Sequence, residues 1–211
     1  MTDSMKKNDD AAWEALYQKC ADCTGCALHK TKIHTVFGCG NRSASVMFIG
    51  EAPGEQEDKQ GIPFVGASGQ LLDRYFAAVD LPRESVYIAN ILKCRPPHNR
   101  DPLPEEEDVC INHLRAQLAL IRPKLLVCLG RVAAKRIIKE DFRMTAEHGI
   151  WFKKGSYDVC AVYHPSALLR DASKREDMLR DMWDIARRAK QLSQGADGNG
   201  ECDSAQTGEA P

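Results

Sequence analysis

The stretch Val46-Met47-Phe48-Ile49-Gly50-Glu51-Ala52-Pro53-Gly54 indicates how this chain folds. Its first four residues form a short continuous apolar run, which is typical of a strand buried on both faces of a sheet. Gly50 ends the run, and a sharp turn follows with a carboxylate directly after the strand. Strand-like apolar runs recur further along the chain, and each predicts another strand of the same sheet: 86–89, 125–129 and 159–163.

Segments with helical character separate these predicted strands. Apolar residues at helical spacing, or acidic residues that favour the start of a helix, predict helices over 9–22, 68–79, 104–121, 131–139 and about 172–190. Strands that alternate with helices are typical of βαβ units. The sequence therefore predicts an α/β fold: a three-layer sandwich with a central, mostly parallel four-stranded sheet and helices on both faces.

Polar residues follow the predicted strands at the point where each strand ends. Glu51 follows the first strand, Asn90 the second, Arg131 the third and His164 the fourth. Because the carboxyl ends of parallel strands share one edge of a sheet, Glu51, Asn90 and His164 are expected to converge on one cleft. Glu51 could instead be a solvated residue in a strand-exit turn, and Asn90 could be a turn cap.

The cysteines suggest a metal centre. Cys23 and Cys26 form a CxxC pair, and Cys94 with Cys110 supplies a second, wider pair. Four soft thiolates select zinc or an iron–sulfur cluster. Cys20 extends the run and resembles the start of a bacterial ferredoxin signature, but the Cys-Pro that closes that signature is missing.

Other interpretations of the cysteines remain open at this point. A thioredoxin-like redox pair or plain buried thiols would also account for a CxxC sequence. The N-terminus has no apolar leader and no stretch reaches the length of a membrane span, so a reducing, cytoplasmic location is expected and disulfides are disfavoured. Cys128 and Cys160 are expected to be core thiols, and Cys202, in the tail, is expected to have no functional role.

Composition predicts one globular domain with an acidic tail. The 211 residues are 43% hydrophobic and carry a formal net charge of −1, and this charge does not indicate a nucleic-acid partner. Residues 194–211 contain four acidic residues and no Lys or Arg, so the remainder carries about +3. The predicted domain with its N-terminal helix spans 1–192, and 193–211 is a predicted disordered tail. A monomer is the default expectation.

Three loops carry side chains suited to nucleic-acid chemistry. Phe64 lies in Gly61–Gly66 and could stack on a base, or form a small satellite core. The loop after Asn90 is basic, through Lys93, Arg95 and Arg100, which suits phosphates. In the loop after His164, two leucines could push into a base stack or simply begin a helix and pack.

Taken together, these residues resemble a family-four uracil-DNA glycosylase, the iron–sulfur type of the uracil-DNA glycosylase superfamily. The resemblance covers about Cys23 to Trp183. It rests on the joint order and spacing of four short motifs: GEAPG at 50–54, GIPFVG at 61–66, NILKCRPP at 90–97 and HPSALL at 164–169.

The resemblance implies excision of uracil from single- or double-stranded DNA by hydrolysis of the N-glycosidic bond. It implies that Phe64 stacks on the flipped base, that Gly50 and Asn90 also contact it, and that Asn90 reads its O4/N3 edge. His164 is expected to donate to O2 of the departing uracil, and Glu51 to lie nearest the attacking water. DNA contacts are expected at Arg95, Ser166 and Arg170, with Leu168 as the wedge.

The resemblance also implies a [4Fe–4S] cluster on Cys23, Cys26, Cys94 and Cys110, which favours Cys23 over Cys20 and iron–sulfur over zinc. The cluster is expected to be structural, with no redox step in the reaction. One branch of the superfamily traps DNA covalently through a His in an inserted Arg-rich loop. No such insertion follows Asn99, so turnover is expected. The alternatives are a noncatalytic or polymerase-associated nucleic-acid-binding module of the same superfamily, and an unrelated redox enzyme.

Overall fold

The computed structural model describes residues 3–197, which form an α/β fold around one six-stranded sheet. The strand order is β1-β3-β2-β4-β6-β5. The four predicted strands are confirmed and pair in parallel in the middle of the sheet: β2 (Val46–Gly50), β3 (Tyr87–Asn90), β4 (Leu125–Leu129) and β6 (Tyr157–Val162).

The prediction of four strands is incomplete, because an antiparallel strand adds to each edge of the sheet. These are β1 (Cys39–Gly40), which pairs with β3, and β5 (Phe152–Lys154), which pairs with β6. Both are short, and neither contains the continuous apolar run by which the central strands are recognised. They cap the sheet edges and leave its parallel centre as predicted.

Between residues 3 and 197, eight α-helices connect and cover the strands. The longest predicted helices are confirmed, although the helix expected over about 172–190 begins at Arg175 and continues to Asp197. The helices are α1 (Asp3–Ala21), α2 (Glu55–Gln60), α3 (Ala67–Ala78), α4 (Pro104–Ile121), α5 (Arg131–Ile137), α6 (Met144–Glu147), α7 (Pro165–Arg170) and α8 (Arg175–Asp197).

Local chemistry explains where α4 begins. Pro104 occupies the first turn, where its missing N–H costs no helical hydrogen bond. The Glu106 carboxylate accepts the backbone N–H of Leu103 and also binds the Arg100 guanidinium through both oxygens. The start of α4 is therefore tied to the loop that follows β3.

The core divides into two clusters because side chains alternate along each strand. Met47 and Ile49 of β2 belong to one cluster, which includes residues from α1, α4 and α5. Val46 and Phe48 belong to the other, which includes residues from α3, α7 and α8. The two clusters therefore lie on opposite faces of the sheet.

The predicted boundary between domain and tail at 192/193 falls inside α8. Of the predicted acidic tail, residues 198–211 lie outside the described residues. Between residues 3 and 197, no helix has the length and apolar character needed to cross a membrane.

Candidate active site

The expected convergence of polar residues occurs at the carboxyl edge of the parallel strands. Gly50 and Asn90 stand opposite each other at the ends of β2 and β3, and His164 follows β6. A cavity of about 280 Å³ opens at this edge, and its wall includes Glu51, Phe64, Asn90, His164, Ser166 and Arg170. Arg131, which follows β4, is not part of this wall and instead lies 3.2 Å from a carboxylate oxygen of Asp101.

Asn90 presents an unpaired amide oxygen in this region. The residue is 1% exposed, and its Oδ1 has no hydrogen-bond partner. Among the buried side-chain oxygen and nitrogen atoms of residues 3–197, it alone is unpaired. A buried polar atom without a partner costs free energy, so it is rarely left unpaired in a native protein. Asn90 is therefore suited to bind a ligand that supplies the missing donor.

Gly50 permits the close approach of the groups around it. A Cβ at this position would lie 2.3 Å from Asn90 Oδ1 and 2.7 Å from Cζ of Phe64. Any larger residue would displace the Asn90 amide or the Phe64 ring. The contribution of Gly50 to the site is thus the space it leaves between these two side chains.

Phe64 is held in an unusual backbone conformation. Its φ is 53°, in the left-handed region that non-glycine residues seldom adopt. The ring is buried in the second core cluster, and its centroid lies 5.7 Å from that of the His164 ring at an interplanar angle of 40°. Phe64 therefore belongs to the core and at the same time lines the cavity, so the two interpretations of this residue are compatible.

The hydrogen bonds of His164 fix its tautomer. The backbone N–H of Ser166 donates to Nδ1 at 3.2 Å, and the Ser166 hydroxyl oxygen lies 2.8 Å from the same nitrogen. Burial, with a smaller contribution from Arg170, lowers the pKa of His164 to about 4. At neutral pH the imidazole is thus uncharged, and because Nδ1 accepts, the proton resides on Nε2.

The carboxyl group of Glu51 has a pKa close to neutral pH. Burial raises the pKa of Glu51 to about 7, the negative charge of Asp101 adds to the increase, and Arg131 opposes it. A general base works best when its pKa lies near the operating pH. Glu51 therefore combines a place in the cavity wall with the acidity that a water-activating group needs.

The cavity wall also contains polar residues that were not singled out from the sequence. Glu57 on α2 and Asn99 in the loop before α4 both line it. Asn99 has a φ of 54° and accepts a hydrogen bond from Nε of Arg95 at 2.7 Å. Their placement depends on loop conformation, for which the sequence offers only weak signals.

The prediction that Leu168 is the wedge is wrong, because its side chain points into the protein. Leu168 is 0% exposed and packs in the second core cluster, whereas Leu169 is 49% exposed on the same helix. Pro165 begins α7, and the helical geometry places neighbouring side chains on different faces. Leu169 is the leucine of this helix that an approaching DNA strand could reach.

Lys93 also departs from its predicted role as a phosphate ligand. The side chain is 1% exposed, and its ammonium donates to the carbonyl of Phe37 at 3.0 Å and to Oε1 of Gln117 at 2.7 Å. It cannot reach phosphates on the surface. Arg95 and Arg100 remain near the cavity, although Arg95 lies 3.7 Å from Glu55 and Arg100 is bound to Glu106.

The four predicted ligand cysteines lie around one small cavity beside α1 and α4. Its wall contains five cysteines and two histidines: Cys20, Cys23, Cys26, Cys94, Cys110, His29 and His113. All five thiols are free, and the backbone N–H of Lys93 donates to Sγ of Cys110 at 3.2 Å. Within residues 3–197, no three or more His, Cys, Asp or Glu side chains are grouped closely enough to hold a metal ion.

The other cysteines lie apart from this group. Cys128 and Cys160 are buried in the core as expected, and Cys39 is exposed at the edge of the sheet. Cys202 lies outside the described residues. A larger cavity of about 870 Å³ lies beside α8 at the opposite edge of the sheet, remote from these motifs.

Sequence comparison identifies relatives of this chain. A sequence model of the uracil DNA glycosylase superfamily matches residues 37–187. A type-4 uracil-DNA glycosylase of Archaeoglobus fulgidus is 45% identical, over 84% of this chain and 90% of its own length. Enzymes of the same name from Thermotoga maritima and Pyrobaculum aerophilum are 39% and 35% identical, each over 80% of this chain and 90% of its own length. The resemblance seen in the motifs is thereby confirmed, and the chain belongs to the uracil DNA glycosylase superfamily and, within it, to the type-4 uracil-DNA glycosylases.

Proposed function

We propose that this protein hydrolyses the N-glycosidic bond of deoxyuridine in DNA, releasing uracil and leaving an abasic site. The observation that carries the proposal is the unpaired Oδ1 of Asn90 in a cavity that also contains an aromatic ring and a neutral histidine. The glycosidic carbon is unreachable inside a duplex, so the nucleotide must rotate out of the stack into this cavity. Its DNA substrate can be single- or double-stranded.

Asn90 supplies base selectivity. Its Oδ1 accepts the N3–H of uracil and its amide N–H donates to O4, so both groups of the amide are satisfied. Cytosine presents an acceptor at N3 and a donor at N4, which opposes the amide at both positions. Phe64 stacks on the base, and the wall around its ring excludes the methyl group of thymine.

His164 stabilises the leaving group. In its neutral form the Nε2–H donates to O2 as the C1′–N1 bond breaks and uracil departs as an anion. Because Ser166 holds Nδ1, the ring needs no rotation or change of tautomer during the reaction. Such a preorganised donor contributes about 3–4 kcal/mol to transition-state stabilisation.

Glu51 orients the water that adds to C1′ and takes up its proton, and its negative charge stabilises the positive sugar that develops as the bond breaks. Ionised Glu51 is the active form. Since the pKa of its carboxyl is raised to about 7, the ionised fraction increases as the pH rises through neutrality.

The pH dependence of excision tests this assignment. We expect the single-turnover rate to rise with pH, with an apparent pKa of about 7, and to reach a plateau above it. His164 adds no second limb over about pH 5–9, since it is already neutral there. Glu51→Gln is expected to be slow and nearly independent of pH over this range. A wild-type rate that does not change with pH would contradict the role of Glu51.

Ser166, Arg170, Arg95 and Leu169 form the proposed DNA-binding surface around the cavity. The exposed Leu169 replaces Leu168 as the wedge that fills the space left by the flipped nucleotide. Ser166 and Arg170 line the cavity, and Arg95 lies beside it, where the phosphates that flank the flipped nucleotide would pass.

Leu169→Ala is expected to reduce excision from a uracil-containing duplex by about tenfold and from the same single strand by much less, because only the duplex must be unstacked and unpaired. Leu179→Ala serves as the control, because Leu179 is also exposed but lies on α8. Equal losses on both substrates would refute the wedge.

We further propose that Cys23, Cys26, Cys94 and Cys110 hold a [4Fe–4S] cluster. The donor set fits, because soft thiolates from α4 and two loops surround one cavity and a backbone N–H already points at Cys110 Sγ. A four-iron cluster is larger than one ion, so its thiolates stand further apart than those of a zinc site. The cluster supplies a crosslink between these segments and takes no part in the hydrolysis.

The thiolate ligands must stay reduced, which is the basis on which we propose the cytoplasm as the working compartment. We also propose that the protein acts as a monomer.

Excision from a labelled oligonucleotide with one uracil tests the proposed activity. The anaerobically purified protein is incubated with the oligonucleotide, and abasic sites are then cleaved with alkali. Cleavage at uracil but not at thymine or cytosine in matched oligonucleotides is expected. Iron-containing protein that binds the oligonucleotide without cleaving it would instead support the noncatalytic module.

A further inference from the structure

We infer that Glu57 is a positioning residue that holds the Phe64 loop, residues 61–66, in the conformation needed for stacking on the base. The inference rests on the proposed function for its consequence, although its geometry stands by itself. Glu57 lies on α2, between the Glu51 turn and the Phe64 loop, and its side chain reaches the cavity wall.

One carboxylate oxygen of Glu57 accepts two adjacent backbone N–H groups. Oε1 lies 2.9 Å from the nitrogen of Val65 and 2.8 Å from that of Gly66. These N–H groups immediately precede α3, whose N-cap residue Gly66 has no side chain with which to cap the helix. Hydrogen bonds to an ionised acceptor are shorter and stronger than neutral ones, so this contact fixes the end of the loop.

The loop needs such a fixation because Phe64 is strained. With φ at 53°, its backbone lies in the left-handed region, where the side chain of an L-residue is crowded by the following carbonyl oxygen. A strained residue persists only where the surrounding structure determines its position. Without the two bonds to Glu57, the backbone after Phe64 would be free to relax and to move the ring away from the Asn90 amide.

Two other contacts hold the opposite flank of the loop. Nη2 of Arg83 donates to the carbonyl of Pro63 at 2.7 Å, and Asp73 orients that guanidinium at 2.6 Å. Gly69 of α3 lies directly against Phe64, because a Cβ there would be 1.9 Å from the Phe64 carbonyl oxygen. Glu57 and Arg83 thus hold the backbone on the two sides of Phe64, and we refer to their contacts as the clamp.

The charge of Glu57 cannot by itself explain a role in catalysis through His164. Glu57 slightly raises the pKa of His164, which burial already holds far below neutrality. Removing the carboxylate would leave the imidazole neutral at pH 7. A loss of activity in a Glu57 variant would therefore not arise from a change in the protonation of His164.

Amide hydrogen exchange provides the direct test, and it does not depend on activity. In Glu57→Ala, the amides of Val65 and Gly66 are expected to exchange at least tenfold faster than in the wild type. In Glu57→Gln they stay close to wild type, because the amide oxygen accepts the same two bonds. Unchanged exchange in Glu57→Ala would overturn the clamp.

Kinetics test the functional consequence. Glu57→Ala is expected to raise KM for a uracil-containing single strand, and the inhibition constant for free uracil, about ten- to thirtyfold, with a smaller change in kcat. Glu57→Gln stays within about threefold of the wild type. Glu14→Ala, an exposed site on α1, serves as the unaffected control. Equal losses in both Glu57 variants would attribute the effect to charge and overturn the inference.

If Glu57→Ala fails to fold, Arg83→Gln provides a second test of the clamp. It removes the other arm of the clamp, and a rise of about three- to tenfold in the same two constants is expected. No change in that variant would count against the clamp. A wild-type protein that releases no uracil would reject the proposed function, while the exchange rates of Val65 and Gly66 would still decide the role of Glu57.

Discussion

Asn90→Ala is expected to reduce kcat/KM for excision of uracil by at least about a thousandfold. An amide that both accepts from N3–H and donates to O4 contributes to binding and to orientation at once. Sites built to pair with a substrate's polar groups lose the most when that pairing is removed. The measurement is single-turnover release of uracil from a single-stranded oligonucleotide.

The fold should tolerate this change, because the Asn90 side chain contributes no protein hydrogen bond through Oδ1. Its removal eliminates an unpaired buried oxygen, so the free energy of unfolding should fall by no more than about 1 kcal/mol. Asn112→Ala makes the same chemical change on an exposed part of α4 and should leave excision unaffected. Full activity in Asn90→Ala would contradict the assigned pocket, whereas a misfolded variant would show that Asn90 supports the sheet.

The central sheet and the edge that carries the site were predictable because both depend on short-range patterns. Continuous apolar runs indicate the four parallel strands, and the ends of parallel strands must share an edge. The strand pattern therefore predicts that Glu51, Asn90 and His164 lie at one edge, and the structure shows all three in one cavity wall. Their detailed chemistry required the structure: the Nε2–H tautomer of His164 depends on a hydrogen bond from Ser166.

The direction of a side chain cannot be read from a short motif. The HPSALL sequence does not show whether residues 165–170 form a helix, and only the phase of α7 separates buried Leu168 from exposed Leu169. Lys93 lies in a basic loop, which predicts a phosphate-binding surface, but the side chain is buried. Two acceptors supplied by Phe37 and Gln117, which are distant in sequence, stabilise it inside the protein.

Glu57 illustrates a second limit. Its two hydrogen bonds join α2 to a loop eight and nine residues further along the chain, and they matter because Phe64 adopts a positive φ. Sequence patterns report periodicity and composition, but not which loop residue is strained. Positioning residues of this kind become visible only when backbone conformation and contacts are known together.

Cys94→Ala is expected to lose the iron and to destabilise the whole domain. Cys94 lies in the segment between Asn90 at the end of β3 and the loop of residues 96–100 that lines the cavity. The free energy of binding a structural metal centre adds to the free energy of folding, and it amounts to about 10 kcal/mol in small zinc domains. We therefore expect iron content to fall from about four atoms per chain to near zero, and Tm to drop by more than about 10 °C.

Cys160→Ala is the matched control, because it removes a buried thiol from the other core cluster. That variant should keep its iron and lose only packing energy, about 1–2 kcal/mol. Iron and acid-labile sulfide, the visible absorption of the cluster, and thermal unfolding are measured side by side on anaerobically purified protein. Unchanged iron and Tm in Cys94→Ala would refute the ligand set, and the presence of Cys20 in the same cavity wall would make it the first replacement to test.

The activity of Cys94→Ala separates a structural cluster from a catalytic one. If the cluster only joins the segments around α1 and α4, excision at a temperature where the variant is still folded should fall in proportion to the disturbance of the loop after Asn90. Base selectivity and the pH dependence set by Glu51 should then stay as in the wild type, since neither depends on iron. A folded, iron-free variant with an altered pH dependence would instead place the cluster within electrostatic reach of the reacting bond, and the purely structural role proposed for it would have to be abandoned.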